Sequence, residues 1–404
     1  MSGVISSIAN FLGYNEAAED AVSIIVGNVQ ISGWTALSIS RGIEIMPASA
    51  EFATTEIDPE THQAVSIASG DPCQVKIGDQ VVLTGYVISV MRQADPSNHI
   101  LRVSVASKSV DLVDCAAEFS TYQMNSTNVF AIVQRVCQPF GITVNQINQA
   151  GNVDIGAAGI ILTETAYDIT ERLTRLSSCL FYDQEDGSIV LSPVGAGQAA
   201  SGFSEGQNIE SYSVLDSMAG RYSSITAIVP GPLPLFNSPD DDVFDQMKSI
   251  TAVQQAATDD GVKRWRPLLI PVELGDDQNY DVTKARMLWE ANRRWGRSQA
   301  IQLTCDSWRD SGGALWEPNT LAPVAIPSAK RNDILLIAEV TFRKDEEGTH
   351  ADLVLMPKEA FIPEPLINPF TNTVFTAAEN DGSIGSTPGQ DVGAVQQEDL
   401  GPPS

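Results

Sequence analysis

VVLTGYVISV (81–90), a polar turn and LRVSV (101–105) make a strand–turn–strand unit, and a similar unit returns near the other end of the chain as ILLIAEVTF (334–342), RKDEEGT (343–349) and DLVLM (352–356). Pro72, Val75 and Ile77 lead into the first copy; Pro323, Val324 and Ile326 lead into the second. His99 and His350 stand beside the two turns. A short approach to a tryptophan lies upstream of each copy, ISGW ending at Trp34 and CDSW ending at Trp308. This shared order predicts two matching β modules, with Val87 and Val340 in matching strands and His99 and His350 near matching turns. Two such modules per chain would let three chains close a ring of six similar positions.

Outward from the first copy, residues 21–112 carry further short runs, VSIIVG, ALSISRGIEIM and QVKIGD, punctuated by Gly33, Gly70, Gly78 and the cluster Asp95-Pro96-Ser97-Asn98. Leu101, Val103 and Val105 share one face of an alternating strand, with Ile100 out of phase. Short strands at this spacing predict a barrel or sandwich. After DLVDC (111–115) the period changes. Val129, Ile132, Val133 and Val136 fall at helical spacing, and Pro139 with Gly141 stops the run. Thr165 and Asp168 read as a capping pair ahead of a helix with Ile169, Leu173, Leu176 and Leu180 on one stripe. Asp186-Gly187 reads as a hairpin turn. GAGQAASG (195–202) is a linker by composition, and PGPLPLFNSPDDDVFD (230–245) an exposed loop. A helix is expected over 281–296, capped by Asp281, with Met287, Leu288, Ala291 and Trp295 on one face and Lys284, Arg286, Arg293 and Arg294 on an exposed basic face.

The expected fold is α+β and predominantly β. It comprises an N-terminal arm (1–20), a first β-barrel (21–112), an inserted α/β domain (113–200), a second barrel from 201–235 and 297–361, a peripheral loop and helix domain (236–296) and an extended acidic tail (362–404). The tail has no Lys or Arg and no periodic apolar pattern, so it is expected to order only on a partner, with Phe370 and Phe375 as candidate anchors.

At 404 residues and 43% hydrophobic content the chain can bury several domain cores. Its net charge of -27 argues against gripping nucleic acid, because such binding depends on Lys and Arg displacing phosphate counterions. Five cysteines (73, 115, 137, 179 and 305) lie far apart without a CxxC pair, which points to buried free thiols in a reducing compartment. No basic n-region opens the chain and no apolar run reaches the roughly 18 residues that a bilayer crossing needs, so neither export nor a membrane partner is expected.

GFSEG (202–206) matches G-x-S-x-G around Ser204, but a small-residue linker precedes it and a β-type segment follows, where a nucleophile elbow needs a strand before and a helix after. PDDDVFD and TDDG lack the alternation, Gly and Glu of a calcium loop. No catalytic residue, metal or cofactor is therefore expected. Trp34, Trp308 and Trp316 sit at strand ends, where burial under a barrel rim competes with a place at a subunit interface. Trp265, Trp289 and Trp295 are expected to cluster around the basic helix.

The ordered set ISGW (31–34), SISRGIEIMPASAEF (38–52), the Gly70-Asp71-Pro72 turn, VKIGD (75–79), VLTGYV (82–87) and KSVDLVDC (108–115) resembles the baseplate hub proteins of Mu-like contractile-tailed phages. GALWEPN (313–319), ILLIAEVTF (334–342) and DLVLMPKEAF (352–361) resemble the same family's closing segment. The resemblance implies a homotrimer in which each chain gives two tube-forming barrels and two peripheral domains. The six barrels would match the tail tube above, and the three-fold axis would match a central spike below. It also implies baseplate wedge and tape-measure proteins as partners, DNA passing through without specific binding, a place in the virion tail baseplate and assembly in the bacterial host cytoplasm. Two alternatives are the hub portion of a type VI-like secretion spike and a tail-associated hydrolase. Such spikes usually carry a long β-helical needle, for which the residues after Phe361 are too few.

Overall fold

The computed structural model of the protein describes residues 20–364, apart from 28, 56–66, 95–98, 118–122, 160, 162, 229–256, 272–279 and 346. The arm at 1–19, the Pro- and Asp-rich loop and the tail beyond 364, including Phe370 and Phe375, lie outside the described residues.

The first module contains β1 (Val22–Val26), β2 (Val29–Ile31), β3 (Ala36–Gly42), β4 (Ser49–Thr55), β5 (Pro72–Ile77), β6 (Gln80–Ala94) and β7 (His99–Ser107). An inserted unit follows, with α1 (Val110–Asp114), β8 (Gln123–Asn128), α2 (Val129–Cys137), β9 (Val144–Gln146), β10 (Asp154–Gly159), α3 (Ala166–Leu176), β11 (Leu180–Asp183) and β12 (Ile189–Ser192). The chain returns through the short β13 (Gly197–Gln198) and β14 (Phe203–Ser204) to β15 (Ile209–Val214). A small sheet of β16 (Ser224–Ile228), β17 (Ala257–Thr258) and β18 (Pro267–Pro271) comes next, with α4 (Tyr280–Arg297) packed on it. The second module closes with β19 (Ile301–Cys305), β20 (Thr320–Ile326), β21 (Arg331–Asp345) and β22 (Gly348–Met356). The architecture is predominantly β, as expected.

Alternation places Leu37 and Ile39, Ala50 and Phe52, and Leu101, Val103 and Val105 on one buried face of the first module. Leu303, Val340, Phe342, Leu353 and Leu355 do the same in the second. Both faces feed one contiguous core, because the modules belong to a single 14-stranded sheet whose main path is β15-β19-β22-β21-β3-β4-β7-β6-β5-β1-β2.

The modules correspond strand by strand. β6 and β21 each have 15 residues, and β7 and β22 each have 9. Each long strand carries one bulge against its partner. After Val87↔Val105 the next pair is Ser89↔Ser104, and after Ile337↔Leu355 the next is Glu339↔Val354. Superposing the bulges at Ile88 and Ala338 fixes the register, so Val87 matches Ile337 and Val340 matches Val90. The expected pair Val87 and Val340 therefore shares matching strands without sharing a position. His99 lies opposite Ala94 and His350 opposite Arg343, which makes Thr349 the counterpart of His99. His99 and His350 therefore stand beside matching turns, as expected, one position apart in register. Trp34 and Trp308 do not correspond: the first precedes β3, while the second follows β19, whose counterpart is β4.

The correspondence extends across four strands. Ile39↔Ala50↔Val105↔Val87 forms one row in the first module, and Val214↔Ile301↔Leu355↔Ile337 forms its equivalent in the second. β3 thus corresponds to β15.

The inserted unit has its own core, built on Ile132, Val133 and Val136 of α2 and Ile169 and Leu173 of α3. The Thr165–Asp168 capping box is formed, and the Asn128 side chain accepts from the Ala131 N–H to start α2. Leu180 leaves the predicted stripe, because α3 ends at Leu176 and Leu180 opens β11. The turn at Asp186-Gly187 joins β11 and β12 as an antiparallel hairpin.

The helix α4 differs from the expected exposed basic face. Arg286 and Arg293 lie over the Trp289 ring, at 5.0 and 5.4 Å from its centre. Arg294 lies 5.2 Å over Tyr222 and donates to the Gly220 carbonyl at 3.1 Å. Lys284, Arg286, Arg293 and Arg294 are all part-buried, and burial pushes the Arg286 and Arg293 guanidinium pKa values down. Asp281 falls within the first turn rather than ahead of it. Trp265 is 80% exposed, in contrast to the predicted tryptophan cluster.

Candidate assembly interface

The sheet is continuous because the two modules meet strand to strand. β21 pairs antiparallel with β3 from Glu339↔Gly42 to Lys344↔Leu37. On one face of this seam Val340 and Phe342 enter the main core with Ile39. On the other face Ser40 Oγ and Thr341 Oγ1 are 2.8 Å apart. At its end the Ile43 N–H donates to the Ala338 carbonyl at 2.9 Å, and Ile43 and Ala338 are buried in a small cluster with Leu336 and Phe361. Gly42 fits this crossing tightly, since a Cβ there would lie 3.1 Å from the Ala338 oxygen.

The face of the sheet turned from the core is rich in hydroxyls. Ser38, Ser40, Ser104, Thr304 and Thr341 lie there, part-buried. Arg343 on this face reaches Asp352 Oδ2 at 3.2 Å and also pairs with Asp345, so its charge is met by two carboxylates. Arg41, 7% exposed, reaches Glu185 of the inserted unit at 3.2 Å. The inserted unit is fixed more deeply at Asp183. One carboxylate oxygen accepts from the Ala48 N–H at 2.9 Å and the Ser109 hydroxyl at 2.7 Å, and the Ser107 hydroxyl makes a very short bond to it. Neither the seam nor Asp183 stood out in the sequence: Asp183 reads there as one polar residue beside a turn.

Each candidate tryptophan has a place inside this chain. Trp34 is 8% exposed and lies 4.7 Å from the Phe52 ring. Trp308 donates to the His350 carbonyl at 2.8 Å and meets Phe342 edge-on at 5.8 Å. Trp316 donates to the Ser307 carbonyl at 2.9 Å and stacks 4.4 Å from Phe203.

The G-x-S-x-G match has a packing origin. Phe203–Ser204 is a two-residue strand running parallel to β20, and the chain then turns through Gly206 at φ +76° into β15, not into a helix. A Cβ at Gly202 would sit 1.9 Å from the Pro323 oxygen, so close strand approach requires glycine there. His350 is engaged elsewhere, with Nδ1 2.7 Å from Glu210 Oε2. In TDDG, Asp259 receives Arg221 through two bonds of 2.8 Å. Among the described residues no group of three or more His, Cys, Asp and Glu side chains is arranged to hold a metal ion, and no helix is long and apolar enough to cross a membrane. All five cysteines are free, and all but Cys115 are buried.

Three family models match in chain order. They are the N-terminal domain of the Mu phage baseplate assembly protein GpP-like family over residues 21–105, the second domain of the baseplate hub protein gp44-like family over 109–193, and the fourth domain of the Mu phage baseplate assembly protein GpP family over 280–364. The baseplate hub protein gp44 of Escherichia phage Mu is 30% identical over 336 residues, which covers 82% of this chain and 86% of gp44. The chain belongs to the Mu-type baseplate hub family. Its fold is that of a 43 kDa tail protein of prophage MuSo2 from Shewanella oneidensis, with a TM-score of 0.71 at 26% identity, covering 84% of this chain and 99% of that one. A tail protein from Neisseria meningitidis MC58 has the same fold, with a TM-score of 0.68 at 18% identity over 85% of this chain and 98% of its own. A baseplate hub is a structural component of the phage tail, and the strand-built seam is the geometry of a scaffold.

Proposed function

We propose that this hub protein works as a homotrimer whose two β modules per chain supply six quasi-equivalent positions around a central channel. The observation that carries the reading is the register-matched duplication: equal strand lengths, bulges at Ile88 and Ala338, and the same four-strand row in both modules. A ring with six similar positions and a true three-fold axis adapts the tail tube on one side to the central spike on the other. Wedge proteins contact the periphery, and the tape-measure protein occupies the channel before ejection. The hydroxyl-rich face lines the channel in this reading. Its carboxylate-paired Arg343 and the chain's net charge of -27 favour passage of DNA without binding. Trp34, Trp308 and Trp316 serve the interface by stiffening the modules from within, and Phe370 and Phe375 anchor the tail to a neighbour or the spike. The role is structural, without catalysis, in the virion baseplate after assembly in the host cytoplasm. Mass photometry of the purified protein and of assembled baseplates tests this reading. Three copies per hub are expected, and a monomer or dimer within assembled tails would overturn it.

A further inference from the structure

The helix α4 holds the end of the described chain along one stripe. Arg286, Glu290, Arg293 and Arg297 recur at helical spacing, with Trp289 beside them, so they share a face. The segment 360–364 runs back along this face. Arg297 Nε donates to the Ala360 carbonyl at 3.0 Å, Trp289 Nε1 donates to the Ile362 carbonyl at 2.7 Å, and Arg286 pairs with the Glu364 carboxylate. Arg293 differs from its neighbours. Arg294 has Glu290 and Arg297 has Glu44, whereas Arg293 makes no ion pair or hydrogen bond among the described residues. Its guanidinium lies over the Trp289 ring, which does not neutralise it. Burial and then the neighbouring Arg297 push its pKa down, and Glu44 and Glu290 offset this only in part.

Arg293 also lines a cleft of about 560 Å³, formed by Leu215 and Ala219 from the chain after β15 and by Trp289, Arg293, Arg294 and Arg297 from α4. Three guanidinium groups at one opening suit a carboxylate. Tether and charge decide which carboxylate reaches it. An acidic partner from solution meets the repulsion of a chain of net charge -27, while a segment joined to the site is present at an effective concentration in the millimolar range. Residues 365–404 contain Glu379, Asp381, Asp391, Glu398 and Asp399 and no Lys or Arg. They continue from Glu364, which is held at Arg286, about 10 Å along the helix from Arg293. A random coil as long as the stretch from Glu364 to Glu379 spans roughly 20 Å, enough to bring its carboxylates to Arg293.

We propose that the cleft at Arg293 receives the carboxylates of the protein's own C-terminal tail, with Glu379 and Asp381 at Arg293, within one copy. Phe370 and Phe375 lie in the span before Glu379 and keep their own partner. The docking is the same whatever the number of copies in the hub.

A protease that cuts after glutamate tests this in the intact protein. Cleavage after Glu379 is expected to be about fivefold faster or more in Arg293→Gln than in the parent at low salt, and equal in both at high salt, with an unchanged circular dichroism spectrum. Equal rates at low salt overturn the docking. Arg293→Lys gives a second measurement, because a zero-length carbodiimide joins the introduced amine to a carboxylate in contact with it. Peptide mapping is expected to link position 293 to Glu379 or Asp381 in a product that keeps the monomer mass on a denaturing gel. Coupling confined to Glu44, Glu290 or the acids of 240–245 overturns the tail as the occupant, and a product of dimer mass at this pair overturns docking within one copy.

Discussion

Asp183→Ala should loosen the joint between the inserted unit and the first β module more than its single methyl-for-carboxyl change suggests. Asp183 is 5% exposed at the end of β11, and its Oδ2 receives the Ala48 N–H, the Ser107 hydroxyl and the Ser109 hydroxyl. Ala48 and Ser107 are themselves bound, through the Ser107 N–H to the Ala48 carbonyl at 2.9 Å. Removing the carboxylate leaves the Ala48 N–H without its acceptor, at a cost of roughly 1–3 kcal/mol for a buried donor. The two hydroxyls, 2.6 Å apart, can still bond each other, so only one of them is stranded, at a similar cost. The sum is about 2–6 kcal/mol, which corresponds to a change of roughly 30-fold at the least, and about 100-fold or more through most of that range, in a local opening constant. Asp183→Asn keeps one carbonyl acceptor but turns a donor toward donors, and should cost about half as much.

Native-state hydrogen exchange reads this directly, because the opening is local and the chain has several cores that need not unfold together. Amides at Ala48 and Ser107 should exchange about 100-fold faster in Asp183→Ala, while those of β21 and β22 stay unchanged. Protection at Ala48 and Ser107 equal to that of the parent protein would refute the view that this carboxylate is the joint.

Thiol chemistry should divide the cysteines sharply. Burial pushes Cys73 and Cys137 up to about 12 and Cys179 and Cys305 up to about 11, so a neutral-pH thiol reagent should modify Cys115 alone in the folded protein and all five after denaturation, as peptide mass mapping can check. Glu317 lines a cleft with Arg41 and Tyr182, and burial raises its pKa, only partly offset by Arg41. A carboxyl raised in the folded state favours folding at low pH and loses that contribution as pH rises through the folded value. Glu317→Gln should therefore be more stable than the parent at neutral pH, with the gap closing on acidification through that value. Denaturation midpoints across the acidic range measure it, and a Gln variant less stable at neutral pH would show that ionised Glu317 is held by partners rather than penalised.

Alternation and stop signals made the elements legible. Leu101, Val103 and Val105 are buried as their spacing requires, Pro139 and Gly141 follow the end of α2, and Thr165 with Asp168 caps α3. These are local effects, written in neighbouring residues. Register was not legible, because it is set by bulges at Ile88 and Ala338 that depend on how two strands fit; the shared order places Val87 and Val340 in corresponding strands, as expected, and the bulges set them three positions apart. The α4 arginines look like an exposed basic face in the sequence because a charge pattern does not reveal a ring beneath it; their guanidinium groups lie over Trp289 and Tyr222. Asp183 was invisible for a similar reason, since its three donors come from 74 to 135 residues away.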